Sequence, residues 1–145
     1  MSGGSFAFVE GATSDLAFTA SGATLADVFA AAAEAMCAAT VEHPEHVAPH
    51  VARTLSLRDD DVELLLLRFL NELIFLRDAE GLVLRPLRVA CEDAEGGFVL
   101  TAELAGEPLD PSRHALASEV KAATAHGLSV RRTSEGWEAS ATLDI

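Results

Sequence analysis

The feature that most limits how this chain can fold is a change of hydrophobic period at Gly81. Before it, from Val62 to Leu76, nearly every helical turn receives two apolar residues, with Leu65, Leu66, Phe69, Leu70, Leu73 and Ile74 at the spacing of a deeply buried helix. After it the period is two. Leu82 and Leu84, then Leu87, Val89 and Cys91, read as one long strand in which Pro86 takes a kink or an edge position. Gly96 and Gly97 turn that strand back into a hairpin partner carrying Phe98, Leu100, Ala102 and Leu104. At the end, Trp137, Ala139, Ala141 and Leu143 alternate with Glu138, Ser140, Thr142 and Asp144, a strand that runs to the last residue.

The first half completes the pattern. Phe6–Glu10 is a short apolar strand, Gly11–Asp15 a polar turn, and Leu16–Ala20 a second strand broken at Gly22. Thr24 starts a helix, and Asp27 three residues on makes an acidic variant of the capping box. Its apolar stripe is Leu25, Val28, Phe29, Ala32 and Met36, and it must stop before Pro44. Residues Glu42–His50 form a loop, and Val51–Leu57 alternates as a strand. Asp59, Asp60 and Asp61 crowd the start of the Val62 helix, which is expected to be the most buried element. Only Leu116–Val130 is ambiguous, its Val120–Thr124 core suiting strand or helix. The order implies an α+β fold, a two-layer sandwich of a mostly antiparallel sheet with two main helices. At 145 residues, a single domain over 1–145 is expected.

Charge bears on partners. Twenty-three acidic residues against ten basic ones give −13, a field that repels phosphates, so no direct nucleic-acid binding is expected. A basic protein surface or a metal cation is the natural partner. Cys37 and Cys91 fit no disulfide framework or CxxC spacing and read as small buried hydrophobes in a reducing compartment. MSGGSFAFVE lacks the basic-then-apolar order of a signal peptide, and no apolar stretch reaches the roughly 20 residues of a membrane span. A soluble, cytoplasmic protein follows.

Three constellations invite chemistry. His43, His46 and His50 lie three and four apart beside Glu42 and Glu45, but Pro44 and Pro49 oppose the helix that would aim the rings together, and a solvated loop is the better reading. A Ser14, Asp15 and His126 arrangement lacks any nucleophile motif. The carboxylates of Asp15, Asp144 and the chain terminus at Ile145 are the hard oxygen donors that Mg²⁺ or Ca²⁺ takes, although on the residues alone an Asx turn at Asp15 and a frayed terminus are the better reading. Lys121, inside an apolar stretch, is either a snorkelling side chain or a functional cation.

These residues fall within a pattern that resembles the archease family, small acidic proteins that assist the RNA-splicing ligase of the RtcB type. Thr13-Ser14-Asp15 with Gly22 resembles the family's turn, and Thr24–Phe29 through Met36 its first helix. Phe69-Leu70-Asn71-Glu72-Leu73 is similar to its second helix. Gly106-Glu107 with His114, Lys121–His126, and the ending Leu143-Asp144-Ile145 resemble its last three motifs. The resemblance implies an accessory protein, not an enzyme, that promotes guanylylation and multiple turnover of the ligase in tRNA splicing or RNA repair. It implies a divalent metal, calcium or magnesium, held by Asp15, Asp144 and the Ile145 carboxylate. Asp15, Lys121 and Asp144 would then be the partner-activating residues.

Two departures stand out. Ala12 occupies the place of the family's turn histidine, so His126 and Thr124 become the candidates for supporting groups around the metal. Ala125 stands where a tyrosine is often found. The competing readings are a metal-dependent phosphoesterase using Asp15 and Asp144, which lacks a visible positioned base, and a general chaperone or interaction module.

Overall fold

The computed structural model describes residues 4–9 and 14–145. Among them are β1 (Ser5–Val9), β2 (Asp15–Gly22), α1 (Leu25–Thr40), β3 (Val51–Asp59), α2 (Val62–Glu80), β4 (Leu82–Ala94), β5 (Gly97–Pro108), β6 (Ala122–Thr133) and β7 (Gly136–Asp144). A single 3₁₀ turn, Pro44–His46, interrupts the histidine loop. Most of the turn expected at Gly11–Asp15, with Ala12 in it, lies outside the described residues; Asp15 itself is the first residue of β2.

The α+β class holds, and every strand pairing is antiparallel. The strands divide between a four-stranded sheet, β1-β2-β7-β6, and a three-stranded one, β3-β5-β4. Each helix touches both sheets, α1 lying on β2 and β4, α2 on β6 and on β3, β4 and β5. One core cluster therefore draws Phe18, Leu143, Phe29, Phe69, Leu100 and Leu104 from all of these layers.

Local chemistry explains the helix limits. Thr24 caps α1, its Oγ1 accepting from the Asp27 N–H at 3.1 Å. Asp61 caps α2, its Oδ1 accepting from Glu63 and Leu64. Gly81 closes α2 in the left-handed region at φ 68°, where its N–H donates to the carbonyls of Arg77 and Leu76. The expectation that α2 is the most buried element is overturned. Ten of the 16 residues of α1 are buried, against seven of the 19 of α2. The Ala-rich sequence of α1 has methyl groups outside its large-residue stripe, so both sheets approach it closely, and a helix apolar all round is an interior helix.

In β4 the register slips between Pro86 and Arg88, leaving Leu87 exposed, as a proline within a strand requires. The ambiguous stretch before Val130 resolves into an irregular segment followed by β6. Residues Ala117 and Ser118 there donate to the last carbonyls of α1, Thr40 and Ala39, at 2.9 Å each.

Candidate functional site

The β2–β7 ladder runs from Gly22 opposite Trp137 to Asp15 opposite Asp144. Leu16, Phe18 and Ala20 of β2 and Leu143, Ala141 and Ala139 of β7 join the core, so alternation puts Asp15 and Asp144 together on the outer face. One step further on, the Ile145 N–H donates to the Ser14 carbonyl at 3.0 Å. Ser14 and Ile145 are thus a hydrogen-bonded pair, and Asp15 and Asp144 the adjacent narrow pair, the kind in which Cα atoms stand about 4.5 Å apart and side chains are closest. Both carboxylates are half-buried. Among the described residues neither has a hydrogen-bond or ion-pair partner. Like charges directly opposite in a ladder repel, so this pair is an unbalanced acidic spot.

Ile145 lies at the same end of the ladder. Its side chain packs against the core and its N–H is anchored on Ser14, which fixes it beside Asp144. On the other side of β7, Ala122 faces Asp144 and the Lys121 N–H donates to the Asp144 carbonyl at 2.7 Å. Lys121 is exposed, has no ion-pair partner among the described residues, and is the sole lysine of the chain, the other nine strong cations being arginines. Thr124 pairs with Thr142 on the same outer face. Between Thr124 and Ser129 the register shifts, and β6 bulges through 125–128 over a nearly buried Thr142. His126 is exposed on that bulge, its N–H donating to Thr124 Oγ1 at 3.4 Å.

The structure thus brings Asp15, Asp144 and Ile145 to one strand end, sets Lys121 beside them, and places Thr124 and His126 further along β6. Among the described residues no three His, Cys, Asp or Glu side chains converge as metal ligands. The two carboxylate side chains are oxygen donors of the kind a hard divalent ion takes.

A residue with no role assigned from sequence reaches β6 from α2. Asn71 of α2 accepts from the Ala123 N–H at 2.9 Å and donates to the Ala123 carbonyl at 3.2 Å. Two turns earlier on the same helix face, Glu63 accepts from the Val130 N–H at 3.0 Å. Strand β6 is an edge of its sheet, and these side chains take main-chain groups that no strand covers. The available signal was a carboxamide in the middle of a largely apolar helix.

The other candidates separate. His43 and His46 stack at 5.1 Å and His43 lies 3.4 Å from Glu45, while among the described residues His50 makes only a main-chain bond to Ala48. No hydrogen bond among the described residues links Ser14, Asp15 and His126. Burial pushes the Cys37 thiol up to about 12, and burial with Asp93 and Glu92 raises Cys91 to about 11. Both are poor nucleophiles.

Glu107 and His114 belong to a buried network instead. Glu107 receives the Arg113 guanidinium at 2.9 Å, the Ala48 N–H at 2.8 Å and His114 Nε2 at 3.0 Å. His114 Nδ1 accepts from the Asp110 N–H at 3.0 Å, so its proton sits on Nε2 and is donated to Glu107. Arg113, the Ala48 N–H and His114 hold the Glu107 carboxyl down at about 2. Arg113 also donates to the His46 carbonyl at 2.8 Å, which ties the histidine loop to this network. The preceding Gly106 is a packing requirement: a Cβ there would lie 1.8 Å from the Val83 carbonyl oxygen.

Two antiparallel sheets packed on two helices, in a chain of net charge −13, make this a small acidic α+β protein. Comparison with known proteins gives its family. The Archease protein family matches residues 6–145. Protein archease of Thermococcus kodakarensis is 35% identical over 134 residues, covering 92% of this chain and 94% of the relative. Protein archease of Pyrococcus abyssi is 36% identical with the same coverage of both chains. The solution structure of Methanobacterium thermoautotrophicum protein 1598 is similar with a TM-score of 0.82 at 29% identity, over 100% of both chains. The crystal structure of an archease, possible chaperone, from Thermotoga maritima shares the fold with a TM-score of 0.62 at 17% identity, over 92% of this chain and 93% of that one. The chain belongs to the archease family. None of these names denotes an enzyme. No helix among the described residues is long and apolar enough to cross a membrane.

Proposed function

We propose that this chain is a cytoplasmic accessory protein that activates an RtcB-type RNA-splicing ligase, promoting its guanylylation and repeated turnover in tRNA splicing or RNA repair. The observation that carries the reading is the cross-strand pair Asp15–Asp144, with the chain terminus on one side and the sole lysine on the other. Asp15, Asp144 and the Ile145 carboxylate are the residues that would hold a divalent magnesium or calcium ion. Bound there, the ion supplies positive charge that attracts a partner's phosphate or carboxylate oxygens.

The residues of the chain then have distinct work. Asp15 and Asp144 present charge from a rigid ladder rather than from a loop, so the acidic end is preorganised for a basic cleft. Lys121 adds a compact cation able to balance that charge or to touch a phosphate. Thr124 and His126 would be the supporting groups around that ion. The net charge of −13 favours encounter with a basic RNA enzyme and disfavours competition for its RNA.

The experiment measures ligase guanylylation and multiple-turnover RNA joining with ligase alone, with this protein added, and with Asp15→Ala. Stimulation by the wild type that the variant loses is the expected result. Stimulation that survives both Asp15→Ala and Asp144→Ala would instead indicate an interaction module whose carboxylates are structural. Turnover of a phosphoester by the isolated protein would indicate a phosphoesterase.

A further inference from the structure

Strand β6 reaches the acidic end as an edge, so nothing in the sheet beyond β7 fixes its first residues. Its main chain is fixed instead by α2. The carboxamide of Asn71 faces Ala123 with both functional groups, accepting its N–H at 2.9 Å and donating to its carbonyl at 3.2 Å. That is the two-bond exchange a neighbouring strand would have made. Ala123 is two residues from Lys121 and one from Thr124, and Lys121 is itself tied to Asp144 by the 2.7 Å main-chain bond. Immediately beyond, the ladder breaks into the 125–128 bulge, which leaves Ala122–Thr124 as a three-residue stretch of regular pairing. A stretch that short, with an irregular segment before it and a bulge after it, takes its position from whatever clamps its centre.

We infer that Asn71 is a positioning residue, which sets the place of Lys121 relative to the Asp15–Asp144 pair by clamping the main chain of Ala123. The inference rests on the proposed activating role of that site and adds a residue of α2 to it. Glu63 supplies the internal comparison. It makes one bond to the same strand from the same helix face, at Val130, on the far side of the bulge.

The test compares ligase activation by wild type, Asn71→Leu, Asn71→Asp, Glu63→Ala, Lys121→Ala and the double variant Asn71→Leu/Lys121→Ala, with amide hydrogen exchange read at Ala123. Asn71→Leu keeps a side chain of similar size and removes both bonds, and Asn71→Asp keeps an acceptor for the Ala123 N–H. Asn71→Leu is expected to free the Ala123 amide and to lower activation about 10- to 100-fold, the range of residues that orient a functional group. Asn71→Asp should be intermediate, and Glu63→Ala should stay within about twofold of wild type, as expected of a substitution away from the site. The double variant should be no worse than Lys121→Ala alone, because both changes remove one contribution. Activation at the wild-type level by Asn71→Leu, with Ala123 freed, overturns the positioning role and leaves the activating site standing. Losses that multiply in the double variant, or an equal loss in Glu63→Ala, overturn it as well. A wild type that does not activate an active ligase overturns the functional reading and this inference together.

Discussion

Asp15 and Asp144 face each other across the last narrow pair of the β2–β7 ladder, half-buried and without a partner among the described residues. Two unbalanced carboxylates at that separation cost the fold, and any divalent ion they hold gives the cost back. Removing one charge should therefore act in opposite directions with and without metal. In chelator, Asp15→Asn is expected to stabilise by about 0.2–1 kcal/mol, seen in a thermal melt as a rise of at most about 2–4 °C. In excess magnesium or calcium, the wild type should gain melting temperature and Asp15→Asn should not. Equal metal responses would show that the pair holds no ion.

The terminal carboxylate can be removed without touching a side chain. Extending the chain by a few residues past Ile145 leaves its core packing and its N–H bond to Ser14 in place. The extended protein is expected to keep its melting temperature in chelator and to lose divalent affinity by about tenfold or more, since one of the three proposed donors is gone. Calorimetric titration checks this; unchanged affinity would take the terminus out of the donor set.

Glu107 governs the acid side of stability. Its carboxyl is held at about 2, against an ordinary value of 4.5, by Arg113, the Ala48 N–H and His114. A depressed carboxylate stabilises the fold fully above its unfolded value and loses that contribution as pH falls through the folded one. Urea midpoints should therefore decline between about pH 4.5 and 2. Glu107→Gln should flatten that decline and lower the plateau above it, since Arg113 and His114 lose their ionised acceptor.

Gly106→Ala should damage the fold rather than the site. Its added methyl would stand 1.8 Å from the Val83 carbonyl oxygen, a main-chain atom that yields only if β4 and β5 separate. A loss of at least about 1–3 kcal/mol, the usual range for overpacking, is expected in chemical denaturation. The same substitution at Gly96, where the space is open but φ is +81°, should cost about 1–2 kcal/mol through backbone strain alone.

Much of this molecule was readable before any coordinate. Thr24 and Asp61 announced their helices because a cap is a contact between residues two or three apart. The period change at Gly81 announced the β4–β5 hairpin for the same local reason. The candidate residues Asp15, Lys121, Asp144 and Ile145 were legible as chemistry out of place, and their likeness to one family's motifs supplied the grouping. The excess burial of α1 was not legible, because alanine packs as well against a second sheet as it faces water.

Sequence by itself determined the elements, their order and the residues worth watching, since period, capping and charge are encoded over a few residues. Tertiary structure alone decided that the strands split into two sheets, that Asp15 stands opposite Asp144, and that Asn71 reaches Ala123. Those relations join residues 52 to 129 positions apart. No local preference distinguishes such a register from its neighbours; it is fixed by which faces the two helices and two sheets can bury together.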